Sequence, residues 1–211
     1  MTIRVLLADD QDDIRGGFRM VLDSQPDMSV VGEAADGLAA VELARSLKPD
    51  VLVTDVRMPG LDGLEVTRRL AAVTRVVVVS TFDLDEYVHT ALSDGACGFL
   101  LKRSGPTLLI EGVRAAMAGD TLISPQLTVR LLSSLTTPAT PTAPAVAPLT
   151  ERETEIAALV ARGLTNAEIG GELFISAGTA KTHVAHIQAK LGVRNRVGIA
   201  AWAWHHGVAR T

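Results

Sequence analysis

The first half of the chain repeats one pattern five times: a short apolar run, then a longer stretch with apolar residues at helical spacing. The runs are Ile3–Ala8, Met28–Gly32, Val51–Thr54, Val76–Ser80 and Gly98–Leu101. They are rich in β-branched residues and scarcely alternate, as strands buried on both faces do. The helical segments are Asp12–Ser24, Gly37–Leu47, Leu64–Ala72, Leu84–Asp94 and Pro106–Ala118. Val41, Ala44 and Leu47 mark an apolar face in one, and Tyr87, Val88, Ala91 and Leu92 mark one in another. Lys48-Pro49-Asp50 stops a helix before a strand, because a proline pushes the residue ahead of it out of helical conformation. Five βα units predict an α/β fold: a doubly wound, flavodoxin-like (βα)5 parallel sheet of order 2-1-3-4-5 with right-handed crossovers.

The pattern then breaks. Pro138, Pro141, Pro144 and Pro148 punctuate an uncharged stretch of Ser, Thr and Ala, which cannot pack a core and reads as a semi-rigid linker. Beyond it, Thr150 and Glu153 have the spacing of a capping box for a helix that runs to Arg162 and stops at Gly163. Asn166 is placed to cap a second helix through Leu173, and Ser176 a third through Leu191, stopped by Gly192. A fourth runs from Val197 to about Trp204. Short connections make these a small all-α bundle. The expected organisation is therefore residues 1–122, a connecting helix and linker over 123–148, and a helical domain over 149–211.

Composition narrows the function classes. At 211 residues, 47% of them hydrophobic, the chain has room for two cored domains. Its single cysteine, Cys97, excludes an intramolecular disulfide and fits a reducing compartment. No apolar stretch is long enough to span a membrane, and the start turns acidic by residue 9, so a cytoplasmic location is expected. The net charge of −4 conceals an asymmetry. Residues 1–148 hold 19 acids and 13 bases, or −6, and residues 149–211 hold 5 acids and 7 bases, or +2. From Leu173 onward there are five Lys/Arg and no acid, a local basic surface compatible with DNA.

The chemistry gathers at strand ends. Asp9 and Asp10 follow the first run, Asp55 the third, Ser80 closes the fourth and Lys102 follows the fifth. In a doubly wound sheet those ends face one crevice at the point where strand order reverses. Three neighbouring carboxylates repel one another unless a cation sits among them, and hard oxygen ligands with open positions suit Mg²⁺. A carboxylate can attack a phosphoryl group to form an acyl phosphate, with a lysine and Mg²⁺ neutralising the charge. Each residue alone has an ordinary explanation as a helix cap, a turn residue or a surface ion pair. Their coincidence at four strand ends does not.

These pieces, LLADDQ, TDVRMPGLDG, VVVVST and GFLLK, resemble the receiver domain of bacterial two-component response regulators over residues 1–122. The resemblance implies Asp55 as phosphoacceptor, with Asp10 a direct Mg²⁺ ligand and Asp9 acting mainly through water. It implies the backbone carbonyl of Arg57 as a further ligand. Ser80 would be the switch hydroxyl, Lys102 the phosphoryl partner, and Pro59 and Gly63 would shape the loop after Asp55. Two departures stand out: Phe99 occupies a place where many receivers carry a switching tyrosine, and Arg103 replaces the proline that often follows the lysine.

In the second half, Ala180, Val184, Ile187 and Leu191 form an apolar stripe, and the opposite face of that helix carries no acid, so it can enter a major groove. The stretch from LTERETEIAALV to KLGVRNR is similar to the LuxR-type helix-turn-helix. That resemblance implies Thr179–Leu191 as recognition helix, with Lys181 and Thr182 near base edges and Ala185 standing where relatives carry a longer polar side chain. His183, His186, Lys190, Arg194 and Arg196 would be phosphate contacts. Gly170 and Gly171 replace the usual alanines and are expected to weaken their helix by about 1 kcal/mol each.

Together the halves resemble a NarL/FixJ-type response regulator, a transcription regulator and not an enzyme. That implies a sensor histidine kinase, double-stranded DNA and a second copy of the chain as partners, with RNA polymerase a further candidate, and no membrane. Two rivals are a phosphorylation-independent DNA binder with a vestigial receiver, and an aspartyl-phosphate phosphotransferase. Arg57 stands where such an enzyme would carry a second acid.

Overall fold

The computed structural model describes residues 2–81, 84–125, 127 and 149–208. The expected connecting helix and proline-rich linker lie outside the described residues, apart from residues 123–125 and 127. The chain divides into two compact units, one built on a sheet and one on a helical bundle.

The sheet contains β1 (Ile3–Ala8), β2 (Met28–Ala34), β3 (Val51–Asp55), β4 (Arg75–Ser80), β5 (Gly98–Leu101) and β6 (Leu122–Ile123). All paired strands are parallel, in the order β2-β1-β3-β4-β5-β6. The expected order is present with a sixth strand added at the β5 edge; two residues, Leu122 and Ile123, are too few to leave a periodic signal. The helices are α1 (Asp12–Asp23), α2 (Gly37–Leu47), α3 (Gly63–Leu70), α4 (Asp85–Ser93) and α5 (Pro106–Ala118).

The apolar runs are continuous because both faces of the sheet are covered. Val5, Leu7, Val53, Val77 and Val79 pack with Leu22 of α1 and Leu109 and Val113 of α5. The alternate residues Leu6, Leu52, Val76 and Val78 are also fully buried. Each such side chain contributes about 1.5–3 kcal/mol relative to exposure, so the strands are held firmly enough to fix the loops at their carboxyl ends. Helix starts follow from short polar side chains: Asp36 accepts from the amide of Ala39 at 2.8 Å, and Asp62 from that of Glu65 at 2.7 Å. Lys48 ends α2 in the left-handed region (φ 47°), just ahead of Pro49.

The second unit holds α6 (Glu151–Ala161), α7 (Asn166–Leu173), α8 (Ala177–Leu191) and α9 (Arg196–His205). The Thr150–Glu153 capping box is present. The cap of α7 is Thr165 rather than Asn166, and it forms a second capping box with Glu168. Ile156, Val160, Ile169, Val184, Ile187 and Ile199 make the bundle core, with the predicted stripe of α8 buried. Trp204 is 54% exposed and donates its indole N–H to the Ala161 carbonyl at 3.3 Å. The two glycines of α7 differ: a β-carbon on Gly170 would stand 2.8 Å from the Ile175 carbonyl oxygen, whereas nothing lies near Gly171. Gly170 thus permits the tight turn into α8, and only Gly171 is a simple loss of helix propensity.

Candidate functional site

β1 and β3 lie side by side, and β4 flanks β3 with Asp55 in register with Val79. The carboxyl ends therefore bring Asp9, Asp10, Asp55 and Ser80 to one edge of the sheet. Carboxylate oxygens of Asp9, Asp10 and Asp55 lie within 4.8 Å of one another. Asp9 and Asp55 are buried and Asp10 is exposed, so the cluster opens to solvent on one side. Ser80 is fully buried at the end of β4.

Lys102 follows β5 and opens a short 3-10 turn, Lys102–Ser104. Its ammonium donates to Asp55 Oδ2 at 2.9 Å and stands 2.7 Å from Asp9 Oδ2 as an ion pair. The Asp9 contact lies outside hydrogen-bond geometry, which leaves that buried oxygen without a hydrogen-bond partner. The other oxygens are placed by backbone: Asp9 Oδ1 accepts from Gln11 N–H at 3.0 Å and Asp55 Oδ1 from Val56 N–H at 2.7 Å. Burial pushes the Asp55 carboxyl above its ordinary pKa, and the Lys102 hydrogen bond only partly opposes this. Burial works against the Lys102 ammonium, but its close contacts with the negative charges of Asp9 and Asp55 outweigh it and raise its pKa. Three carboxylates facing one ammonium leave an excess of negative charge, and three clustered carboxylates open to solvent on one side are a donor set that fits a hard divalent cation.

The loop after Asp55 is shaped as expected of its glycine. Gly63 N–H donates to the Val56 carbonyl at 2.8 Å, and a β-carbon there would stand 1.8 Å from the Asp55 carbonyl oxygen. The exposed Arg57 donates through Nη2 to the Tyr87 hydroxyl at 3.1 Å and lies over that ring. Phe99 is fully buried, a core residue of β5. The Lys102–Arg103 bond is trans. Burial raises the pKa of the half-buried Cys97 thiol.

Two supports of the crevice had no signal in the sequence. Buried Ser124 accepts from Leu101 N–H at 3.0 Å and meets the Ser104 hydroxyl at 3.0 Å, pinning the turn that carries Lys102. Arg15 donates to the Asp9 backbone carbonyl at 2.7 Å. Both act across sequence separations that periodicity does not register.

On α8 the exposed strip comprises Thr179, Thr182, Ala185, His186 and Ala189, flanked by half-buried Lys181 and His183. The Thr182 hydroxyl donates to the Gly178 carbonyl at 3.0 Å. Arg194 is exposed just past the helix. Lys190 and Arg196 both have partners within the helical domain. Lys190 Nζ donates to Glu153 Oε2 at 2.6 Å. Arg196 is buried, with its guanidinium donating to the Leu164 carbonyl.

Residues 5–114 match the response regulator receiver domain, and residues 147–203 match the bacterial regulatory proteins of the luxR family. The nitrate/nitrite response regulator protein NarL of Escherichia coli (strain K12) is 40% identical over 201 residues, covering 94% of this chain and 93% of NarL. The chain belongs to the NarL/FixJ-type response regulators.

Transcriptional regulatory protein LiaR of Bacillus subtilis (strain 168) is 39% identical over 204 residues, covering 95% of this chain and 96% of its own. A solved structure of two RcsB dimers bound to two parallel DNAs covers 100% of both chains at 25% identity, with a TM-score of 0.58. As a NarL/FixJ-type regulator the chain is a two-component response regulator, with the acidic crevice in its receiver domain and α8 in a LuxR-type DNA-binding domain. No helix among the described residues is long and apolar enough to cross a membrane.

Proposed function

We propose that this regulator is switched by Mg²⁺-dependent phosphorylation of Asp55 by a partner histidine kinase, and that the phosphorylated form binds double-stranded DNA through α8 as a homodimer. The observation that carries this reading is the pairing of a buried strand-end carboxylate with Lys102 at 2.9 Å inside a cluster of two further acids.

In the proposed transfer, an Asp55 carboxylate oxygen attacks phosphorus, the bond from phosphorus to the kinase imidazole breaks, and the imidazole leaves and recovers a proton from solvent. Val56 N–H holds Asp55 Oδ1 while Oδ2 faces Lys102 and the cluster, so the reactive oxygen is oriented before any substrate arrives. Asp9, Asp10, Asp55 and the Arg57 carbonyl would hold Mg²⁺, which supplies charge neutralisation at the phosphoryl oxygens when bound. Lys102 then exchanges a carboxylate partner for a phosphoryl oxygen, and Ser80 donates to another. Because the Asp55 carboxyl titrates above an ordinary aspartate, its nucleophilic form is lost sooner on acidification.

The phosphoryl group shifts a pre-existing equilibrium toward a form whose α8 is available to a major groove. The test uses duplexes enriched from a random pool by the full-length protein, with affinity measured by fluorescence anisotropy before and after acetyl phosphate and Mg²⁺. Tighter binding after treatment is expected. Equal affinity in both states would leave a phosphorylation-independent reader.

A further inference from the structure

Arg15 stands in the first turn of α1 and reaches back to the crevice. Its side chain is 14% exposed, and all three guanidinium nitrogens are engaged. Nη1 donates to the Asp9 carbonyl at 2.7 Å, Nε to Glu33 Oε2 at 3.2 Å and Nη2 to Asp12. The Asp9 carbonyl belongs to the peptide plane that joins Asp9 to Asp10. That plane is rigid, so anchoring its oxygen fixes the direction in which Asp10 leaves it. The same segment is held from two other sides: Asp9 N–H donates to the Ala34 carbonyl at 3.0 Å, and Gln11 N–H donates to Asp9 Oδ1. Glu33, at the end of β2, fixes the guanidinium itself and is shared with Arg19.

Charge alone argues against an arginine here. A cation beside an acidic crevice repels a second cation, so its presence needs a geometric reason. The fork supplies one, since only a planar guanidinium reaches a carbonyl, a strand-end carboxylate and a helix-start carboxylate together. We propose that Arg15 is a positioning residue for the cation site, holding the Asp9–Asp10 peptide in the orientation that lets both acids face one ion. This rests on the reading of the crevice as a Mg²⁺ site.

The test is calorimetric titration of the full-length protein with Mg²⁺ alone, beside thermal unfolding in chelator, for wild type, Arg15→Met, Arg15→Lys and Glu33→Gln. Loss of a group that orients metal ligands costs about 10–100-fold in affinity, so Arg15→Met is expected to raise the Kd at least about tenfold. Arg15→Lys keeps the charge without the fork and should fall with Arg15→Met rather than with wild type. Glu33→Gln should move the Kd in the same direction by a smaller factor. A side chain acting only through its charge would give tighter binding in Arg15→Met, and one acting only on the fold would lower the unfolding midpoint with Kd unchanged; either result overturns the proposal. If Arg15→Met does not fold, an unchanged Kd in both Arg15→Lys and Glu33→Gln overturns it equally. Wild type failing to bind Mg²⁺ would overturn the reading of the crevice itself, an outcome separate from any difference among the variants.

Discussion

The crevice at the strand ends and the outer face of α8 are built on opposite terms. Asp9, Asp55 and Lys102 are buried, and each has a named partner within 3.0 Å. The strip Thr182, Ala185, His186 and Ala189 is exposed, and two cations near it have partners in the domain, Lys190 on Glu153 and Arg196 on the Leu164 carbonyl. Chemistry that must be pre-set is held by the core. Chemistry that waits for a partner is left on the surface, where geometry is completed only on binding.

The largest expected effect breaks the buried side. Lys102→Met leaves Asp9 and Asp55 facing each other without a counter-charge, and removing one member of a buried ion pair costs about 3–5 kcal/mol. Urea unfolding in chelator should show that loss, with Mg²⁺ restoring part of it. Unchanged stability would mean that the crevice is wetter and weaker than its geometry implies.

The contrast is sharpened at Glu153. Its hydrogen bond from Lys190, with those from Thr150, holds its carboxyl down to about 2. A depressed carboxyl contributes stability above its ordinary pKa of about 4.3, and that contribution is lost as pH falls toward about 2. Glu153→Gln should therefore lower the unfolding midpoint at pH 7, with the gap from wild type narrowing below pH ~4. Lys190→Met should match it at pH 7 and leave the salt dependence of DNA binding unchanged. A salt slope reduced by about one would instead return Lys190 to the phosphate contacts.

Legibility in the sequence followed the same division. Parallel strands buried on both faces announce themselves as unbroken apolar runs, so Val51–Thr54 and Val76–Ser80 were readable, each within one residue of the strand it forms, and with them the residues at their ends. A cation's destination is not readable that way. Nothing in the sequence marks Lys190 for Glu153 or Arg196 for the Leu164 carbonyl, and only the packing of the bundle brings these partners together. Thr165 and Asn166 both suit a helix cap, and sequence alone does not choose between neighbours. Arg15 had no signal because its partners, Asp9 and Glu33, meet only once β1 and β2 pair.

The smallest effect separates two adjacent glycines. Gly171→Ala should stabilise the helical domain by about 0.5–1 kcal/mol. Gly170→Ala should destabilise it, since its methyl meets the Ile175 carbonyl at 2.8 Å. Thermal unfolding of both variants reads the sign directly, and two stabilising alanines would mean the turn into α8 is looser than described.

Intact mass after incubation with Mg²⁺ and acetyl phosphate, beside an Asp55→Asn control, tests the central claim most directly. One added phosphoryl group in wild type, abolished by chelator and absent in Asp55→Asn, is the predicted result. An addition that persists in Asp55→Asn would contradict the assignment of the crevice.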